Sequence, residues 1–269
     1  MPTSDHLKIS IVTPSYNQAP YLEQTILSVL NQQYPNLEYI IIDGGSTDGS
    51  VDIIKKYEAH ITRWVSEPDS GQSEAINKGF ALCTGDIVGW LNSDDYYESN
   101  VFARIAGIFE NKNINIINGD CRLVNESGVA TGLVCSKKVY LNRLLNSWVP
   151  YSIPPQPAIF FRRACLEKAG FLDESLHYGM DYDLWLRLCT HYRFTYVPGI
   201  LANYRFHEQS KSVSGNGFAK FIPEWHSVRD RYLNMRPRHI RLSFKISRNY
   251  FKLKHRFIDV HNFTSVVPE

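Results

Sequence analysis

The chain has 269 residues, 43% of them hydrophobic and 21% charged, with a formal net charge of +2; this suits a soluble globular protein with one sizeable α/β domain, with or without a small appendage. No uninterrupted apolar stretch approaches the ~18 residues of a spanning helix, and the N-terminus MPTSDHLKIS lacks the basic and apolar regions of a secretory signal. Five scattered cysteines (Cys83, Cys121, Cys135, Cys165, Cys189) without CxxC spacing argue against a zinc site or a disulfide framework, so the expected compartment is the reducing cytoplasm and the sequons at Asn125 and Asn262 read as chance matches.

Leu7, Ile9 and Ile11 alternate with polar residues and run into Val12-Thr13-Pro14, predicting a strand that ends at the proline. Pro20 opens a helix in which Leu22, Ile26, Val29 and Leu30 share one face at the 3.6-residue period. Residues 37–42 read as a strand that stops at Asp43 and a glycine-rich turn. Asp48 or Ser50 is the candidate cap of the next helix, which buries Ile53, Ile54 and Tyr57. A strand near 61–65, a helix near 73–82 and a strand at 86–91 repeat the order. Such alternation implies parallel β-α-β units with right-handed crossovers, and ligands in such sheets bind beyond the carboxyl ends of the strands. The clusters Thr13-Pro14-Ser15-Tyr16, Asp43-Gly44-Gly45-Ser46, Ser66-Glu67-Pro68-Asp69 and Asn92-Ser93-Asp94-Asp95 all follow strand ends, so they should converge on one edge.

After Asp95 the pattern predicts a helix near 100–109, a strand at 114–117 and a hairpin through Asn125-Glu126-Ser127-Gly128. A proline-rich loop over 150–157 leads to a strand at 158–161, and a helix over 181–189 turns Leu184, Trp185 and Leu188 inward. The expected organisation is one catalytic domain over residues 1–217 and a basic, helical C-terminal extension over 218–269.

Two adjacent carboxylates at a strand end, Asp94 and Asp95, repel one another and suit a hard divalent cation, Mg²⁺ or Mn²⁺; the plainer reading is a turn or helix cap. Asp43 with Gly44, Gly45 and Gly49 offers an acceptor for base or ribose N–H and O–H groups beside backbone that a ligand can approach closely. Asp69-Ser70-Gly71-Gln72 precedes a helix bearing Glu74, Asn77 and Lys78, whose first-turn N–H groups can face an anion, with Ser70 or Asp69 as its cap. Asp181 and Asp183 lie two apart and cannot share one helix face; one can reach the active edge as a general base while the other caps the helix or pairs with Arg187. His207 sits in a polar loop, where a solitary histidine is more often a surface residue than a ligand, and Arg205 can pair with phosphate or with Glu208.

Taken in order, ISIVTPSYN (9–17), IIDGGSTDGS (41–50), EPDSGQSEAINKG (67–79) and GDIVGWLNSDD (85–95) closely resemble family 2 glycosyltransferases with the GT-A fold, an α/β architecture with a mostly parallel Rossmann-like sheet flanked by helices. The similarity continues through QPAIFFRR (156–163), DYDLWLR (181–187) and YRFH (204–207) and covers about residues 7–210. The resemblance implies that Thr13, Pro14, Ser15, Tyr16, Asp43 and Gly44 hold the nucleotide, with Asp69, Gln72, Asn77, Ser93 and Asp94 also in the nucleotide-sugar site. It implies that Asp94 and Asp95 form a DXD-type motif, with Asp95 as metal ligand and His207 near the metal or diphosphate. Asp181 matches the general base of the family's ED motif. Two departures stand out: Met180 replaces the usual acidic residue before Asp181, and Asn92 replaces an aspartate found in many relatives. The implied reaction is one in-line displacement with inversion, from a nucleotide-diphosphate sugar, closer to uridine than guanosine donors, to a hydroxyl of a glycan or lipid-linked acceptor in cell-surface polysaccharide synthesis.

Two rival functions have discriminating features. A sugar nucleotidyltransferase would carry a glycine-rich basic loop after the first strand, where this chain has Pro14-Ser15-Tyr16-Asn17-Gln18. A catalytically inactive carbohydrate- or nucleotide-binding subunit would not need Asp43, Asp94, Asp95 and Asp181 together. From Lys220 to Phe257, basic residues alternate with aromatics, and Glu224 and Asp230 are the only carboxylates. That pattern fits peripheral attachment to an anionic membrane surface on the inner face of the cell membrane, or a solvated helix packed on the core. No nucleic-acid reader motif accompanies it.

Overall fold

The computed structural model describes residues 6–146, 152–215 and 217–254. The expectations for Asn262, Arg256 and Phe257, and for the first part of the proline-rich loop, fall outside the described residues.

The first strands follow the alternating pattern: β1 (Ile9–Ser15), β2 (Leu37–Asp43), β3 (Arg63–Ser66) and β4 (Ile87–Trp90) pair in parallel, in the order β3-β2-β1-β4. The sheet continues through β8 (Ile159–Arg162), β6 (Ile116–Val124), β9 (Phe194–Arg205) and the short β5 (Tyr96–Tyr97), with β7 (Ala130–Val134) hairpinned onto β6. Among the described residues the nine strands form one sheet. Strands β5, β7 and β8 run against the other six.

The period-2 alternation sorts side chains onto two faces. Ile9, Ile11, Ile41, Ile87 and Phe160 pack under α1 (Ala19–Leu30) and α4 (Val101–Phe109), joined by Ile54 of α2 (Ser50–Lys56). Val12, Ile40, Ile42, Val88, Trp90 and Phe161 pack under α3 (Gln72–Leu82), α6 (Ala164–Ala169) and α7 (Met180–His191), with Leu144 and Leu145 of α5 (Leu141–Leu145). Helix α3 lies so close to β1 that a Cβ on Gly79 would come within 2.2 Å of Val12 Cγ1. Two sheet faces each covered by helices make a three-layer α/β/α core.

Three expectations, the end of β1 and the caps of two helices, are corrected. Strand β1 continues through Pro14 to Ser15, because beyond Val12 it pairs only with β2 and the proline's missing N–H breaks no ladder. The cap of α2 is Gly49, at φ 98°, while Asp48 accepts the Ser50 and Ala19 N–H groups. Gly71, not Ser70 or Asp69, is the N-cap of α3. The basic C-terminal segment forms α8 (Phe221–Asn234) and α9 (Arg238–Lys254), whose Val228, Tyr232 and Phe244 join the same core as α7. All five cysteines are free thiols.

At the amino end of the parallel strands, Glu38 gathers four donors: Lys8 Nζ at 2.8 Å, Ser10 Oγ at 2.5 Å, and Thr84 through its N–H at 2.7 Å and hydroxyl at 2.6 Å. Although burial opposes it, these hydrogen bonds hold its carboxyl down at about 2. Asp43 closes the carboxyl end of the same strand.

Candidate active site

At the end of β2, Asp43 is fully buried and its oxygens accept from Ser46 Oγ (2.5 Å), Ser66 Oγ (2.7 Å) and the N–H groups of Gly45 and Ser46 (3.1 and 2.9 Å). The carboxylate thus organises its own turn. Gly44 faces Asp69 so closely that a Cβ would stand 2.6 Å from Asp69 Oδ2. Burial raises the Asp69 carboxyl above its ordinary value, only partly offset by the Gly71 N–H, which it accepts at 2.9 Å. At the end of β1, Thr13, Pro14 and Ser15 are buried, whereas Tyr16 is 61% exposed and leaves a ring face open beside this turn. Gln72, at the start of α3, donates to Asn92 Oδ1 at 2.8 Å and so ties the third strand end to the fourth.

Beyond β4 the backbone of Ser93 and Asp95 is fastened to α1 by the Thr25 hydroxyl, 2.9 and 2.7 Å from their carbonyls. Asp95 is buried; its Oδ1 accepts the Arg205 N–H at 2.9 Å, and Oδ2 has only a long 3.5 Å contact from Asn92. Burial first, and then the charge of Asp94, push the Asp95 carboxyl well above its ordinary value. Asp94 meets His207 Nε2 at 3.1 Å, and the His207 ring lies 4.5 Å from that of Tyr21. His207 is therefore buried against a carboxylate, unlike the surface histidine that its polar loop suggests. Arg205 turns to groups other than Glu208: its guanidinium, between the rings of Tyr21 and Tyr96, donates to the carbonyls of Asp94 (2.9 Å) and Glu126 (2.6 Å) and to Gln24 Oε1 (2.5 Å).

Asp181 and Asp183 part company as their spacing predicts. Asp183 is buried and accepts from Arg187 Nε at 2.8 Å. Asp181 accepts the Tyr182 N–H at 2.7 Å, and burial lifts its carboxyl to about 6 against the lowering effect of that bond and of Lys211. Lys211 stays solvent-accessible overall, but partial desolvation lowers its ammonium, opposed by the charges of Glu224, Asp181 and Asp94. The buried Tyr204 hydroxyl is raised by burial and by Asp95, Asp94 and Asp181 alike. Asp94, Asp95 and Asp181 thus act on one neighbourhood. Lys211 also lines a cavity there with Gly71, Gln72 and His177.

Asn77 is a departure within the candidate set. Its amide donates to the Leu172 carbonyl (3.0 Å) and Glu174 (2.8 Å) and accepts the Leu172 N–H (2.9 Å), which commits it to holding the loop before α7. Sequence reasoning missed Arg205 as a structural hub, Lys211 and Thr25; the phase of Thr25 on the buried face of α1 was the one available signal.

Among the described residues no three His, Cys, Asp or Glu side chains are gathered as a ready-made metal cluster. The donor chemistry nonetheless fits a hard cation: Asp95 Oδ2 lacks a close partner, Asp94 is its charged neighbour, and His207 adds an imidazole.

The chain is similar, at 28% identity over 77% of its length, to an uncharacterised glycosyltransferase of Nostoc sp., of which it spans 67%. It is equally similar, at 28% identity over 76% of its length, to chondroitin synthase of Escherichia coli, but spans only 30% of that protein. Its fold matches S. aureus TarS in complex with UDP-GlcNAc, with a TM-score of 0.66 and 18% identity, covering 84% of this chain and 66% of that one. The family model described as Glycosyl transferase family 2 matches residues 10–168, which holds all four parallel strand ends and the Asp94–Asp95 pair. With more than half of its length inside that match and its sheet matching GT-A structures, the chain belongs to glycosyl transferase family 2.

Proposed function

We propose that this protein is an inverting glycosyltransferase that moves a hexosyl or N-acetylhexosaminyl group from a uridine-diphosphate donor to a hydroxyl of a glycan or lipid-linked acceptor, in the assembly of a cell-surface polysaccharide. One observation carries the reading: Asp181, a carboxyl held at about 6, acts on the same buried hydroxyl and the same lysine as the Asp94 carboxylate. A UDP-GlcNAc complex of a structural neighbour and a relative named chondroitin synthase support the donor and acceptor classes.

The nucleotide lies against the exposed Tyr16 ring and the Asp43–Gly44 turn, with Asp69 and Gln72 alongside. Asp181 takes the proton of the acceptor hydroxyl as that oxygen attacks the anomeric carbon. The bond to the diphosphate breaks on the opposite face, so the configuration inverts and the nucleoside diphosphate departs. Asp94, Asp95 and His207 would hold a divalent cation, Mn²⁺ or Mg²⁺, which would supply charge neutralisation to the departing diphosphate. We further propose that the protein works at the cytoplasmic face of the membrane, resting on anionic lipid through α9. Among the described residues no helix is long and apolar enough to cross a membrane.

The test is Asp181→Asn. Transfer from UDP-GlcNAc should fall by at least about 10³-fold, while the thermal shift produced by UDP-GlcNAc with Mn²⁺ stays at the wild-type value. Undiminished transfer removes Asp181 from the mechanism, and a donor shift indifferent to Mn²⁺ removes the metal.

A further inference from the structure

We propose that Glu224, on α8, is a positioning residue for the Asp181 base, its carboxylate gripping the turn from which Asp181 is aimed. This inference rests on the function proposed above. Of the two carboxylates between Lys220 and Arg256, Asp230 pairs with its own neighbour, Arg229, at 2.8 Å. Glu224 instead turns inward. Its Oε2 accepts the N–H groups of Tyr178 (2.7 Å) and Gly179 (2.8 Å), and Oε1 accepts that of His177 (3.1 Å).

Three consecutive amides, in the turn that leads into α7 and at its N-cap, therefore converge on one carboxylate. Of these, the Gly179 amide belongs to the helix end, whose first N–H groups the helix cannot satisfy by itself, while those of His177 and Tyr178 belong to the preceding turn. A negative charge also suits that end of the helix dipole, and charge-assisted hydrogen bonds are about twice as strong as neutral ones. On the carbonyl side, Lys211 Nζ donates to the His177 oxygen at 3.0 Å. The turn is held from both sides by opposite charges.

Asp181 stands two residues beyond Gly179, and its side chain accepts the N–H of Tyr182 in its own helical turn. Among the described residues no side chain of another element bonds Asp181, so its direction follows the backbone that Glu224 fixes. At a reacting group, a displacement of about 1 Å costs about 10²-fold in rate. Ring contacts of Phe221 with Tyr178 in that turn (5.0 Å) and of Trp225 with Tyr182 of α7 (6.4 Å) dock α8 without the carboxylate. Replacing Glu224 therefore leaves the helix seated.

The experiment compares Glu224→Ala, Glu224→Gln and Asp181→Asn in the full chain, reading kcat and donor KM for UDP-GlcNAc, melting temperature and amide exchange at Tyr178 and Gly179. Glu224→Ala should lower kcat by about 10- to 100-fold, leave donor KM within about twofold, and speed exchange at both amides. Glu224→Gln, which keeps an acceptor oxygen, should restore most of the lost turnover. Unchanged kcat in Glu224→Ala overturns the inference, as does a loss shared by kcat, donor KM and melting temperature, which marks a purely structural cap. If Asp181→Asn is inactive while Glu224→Ala is fully active, the proposed function stands and this inference alone fails. If Asp181→Asn transfers normally, the reading beneath it fails.

Discussion

Asp181 carries its charge at a cost to the folded state, because burial favours its protonated form and lifts its carboxyl to about 6, above the ~3.9 of an unfolded chain. Two consequences follow from that sign. As a base it must be ionised, so kcat/KM should fall away below a limb near pH 6 in a pH–rate profile. A raised carboxyl stabilises the fold fully below its unfolded value and loses that contribution as pH rises through its folded value. Asp181→Asn should then raise the melting temperature at pH 7.5 and leave it nearly unchanged at pH 4. The Gly44–Asp69 approach gives a second outcome: a methyl on Gly44 displaces the Asp69 carboxylate. Gly44→Ala should raise donor KM about tenfold with about 1–3 kcal/mol lost in stability, read by kinetics and thermal melting. Sequence reasoning separated Asp181 from Asp183 because two residues on a helix point apart. It could not foresee that His207 is buried or that Arg205 is spent internally, since both depend on β9 passing beside the Asp94–Asp95 loop.

Elements with an unbroken period or an unbroken apolar run were legible, and interrupted ones were not. Strand β1 and helices α1, α3 and α7 show a 2- or 3.6-residue rhythm, and β2 and β4 read as short apolar runs bounded by turn residues. The twelve-residue β9 escaped because Pro198 and Gly199 break it, Gly199 at φ 107°, where its register against β6 also shifts. Helix α6 has six residues, too few for a helical period to register. The sequence of helix α9 is plainly basic and aromatic, but its division into faces emerges only from packing. Ile240 and Phe244 turn to the core, while Leu242, Ile246 and Tyr250, four residues apart, are 57%, 61% and 66% exposed beside Arg241 and Lys245. Such a face suits anionic lipid. Leu242→Ser/Ile246→Ser/Tyr250→Ser should abolish co-sedimentation with phosphatidylglycerol vesicles while leaving the melting temperature unchanged; retained sedimentation dismisses the lipid surface. Truncation at residue 218 would be a poor test, because it also removes Glu224 and the core residues of α8.

At the scale of the whole molecule, the gathering of strand-end clusters was legible from topology alone, because parallel strands must place their carboxyl ends on one side. The way α8 is built into the core beside α7 was not, since its burial rests on scattered residues in a segment dominated by charge. Strand β2 spans both ends of the sheet, with Glu38 and Asp43 about 17 Å apart. Glu38, held at about 2, stabilises the fold above its unfolded value near 4.3 and loses that contribution as pH falls toward 2. Glu38→Gln should therefore lower the melting temperature at pH 7 and make progressively less difference toward pH 2. The anchored end of the sheet gains from alkalinity over the acid range, whereas the working end is relaxed by protons up to about pH 6. Acidification from neutrality should consequently silence turnover well before the scaffold loosens, and returning the solution to neutral pH should revive the catalyst without any need to refold it.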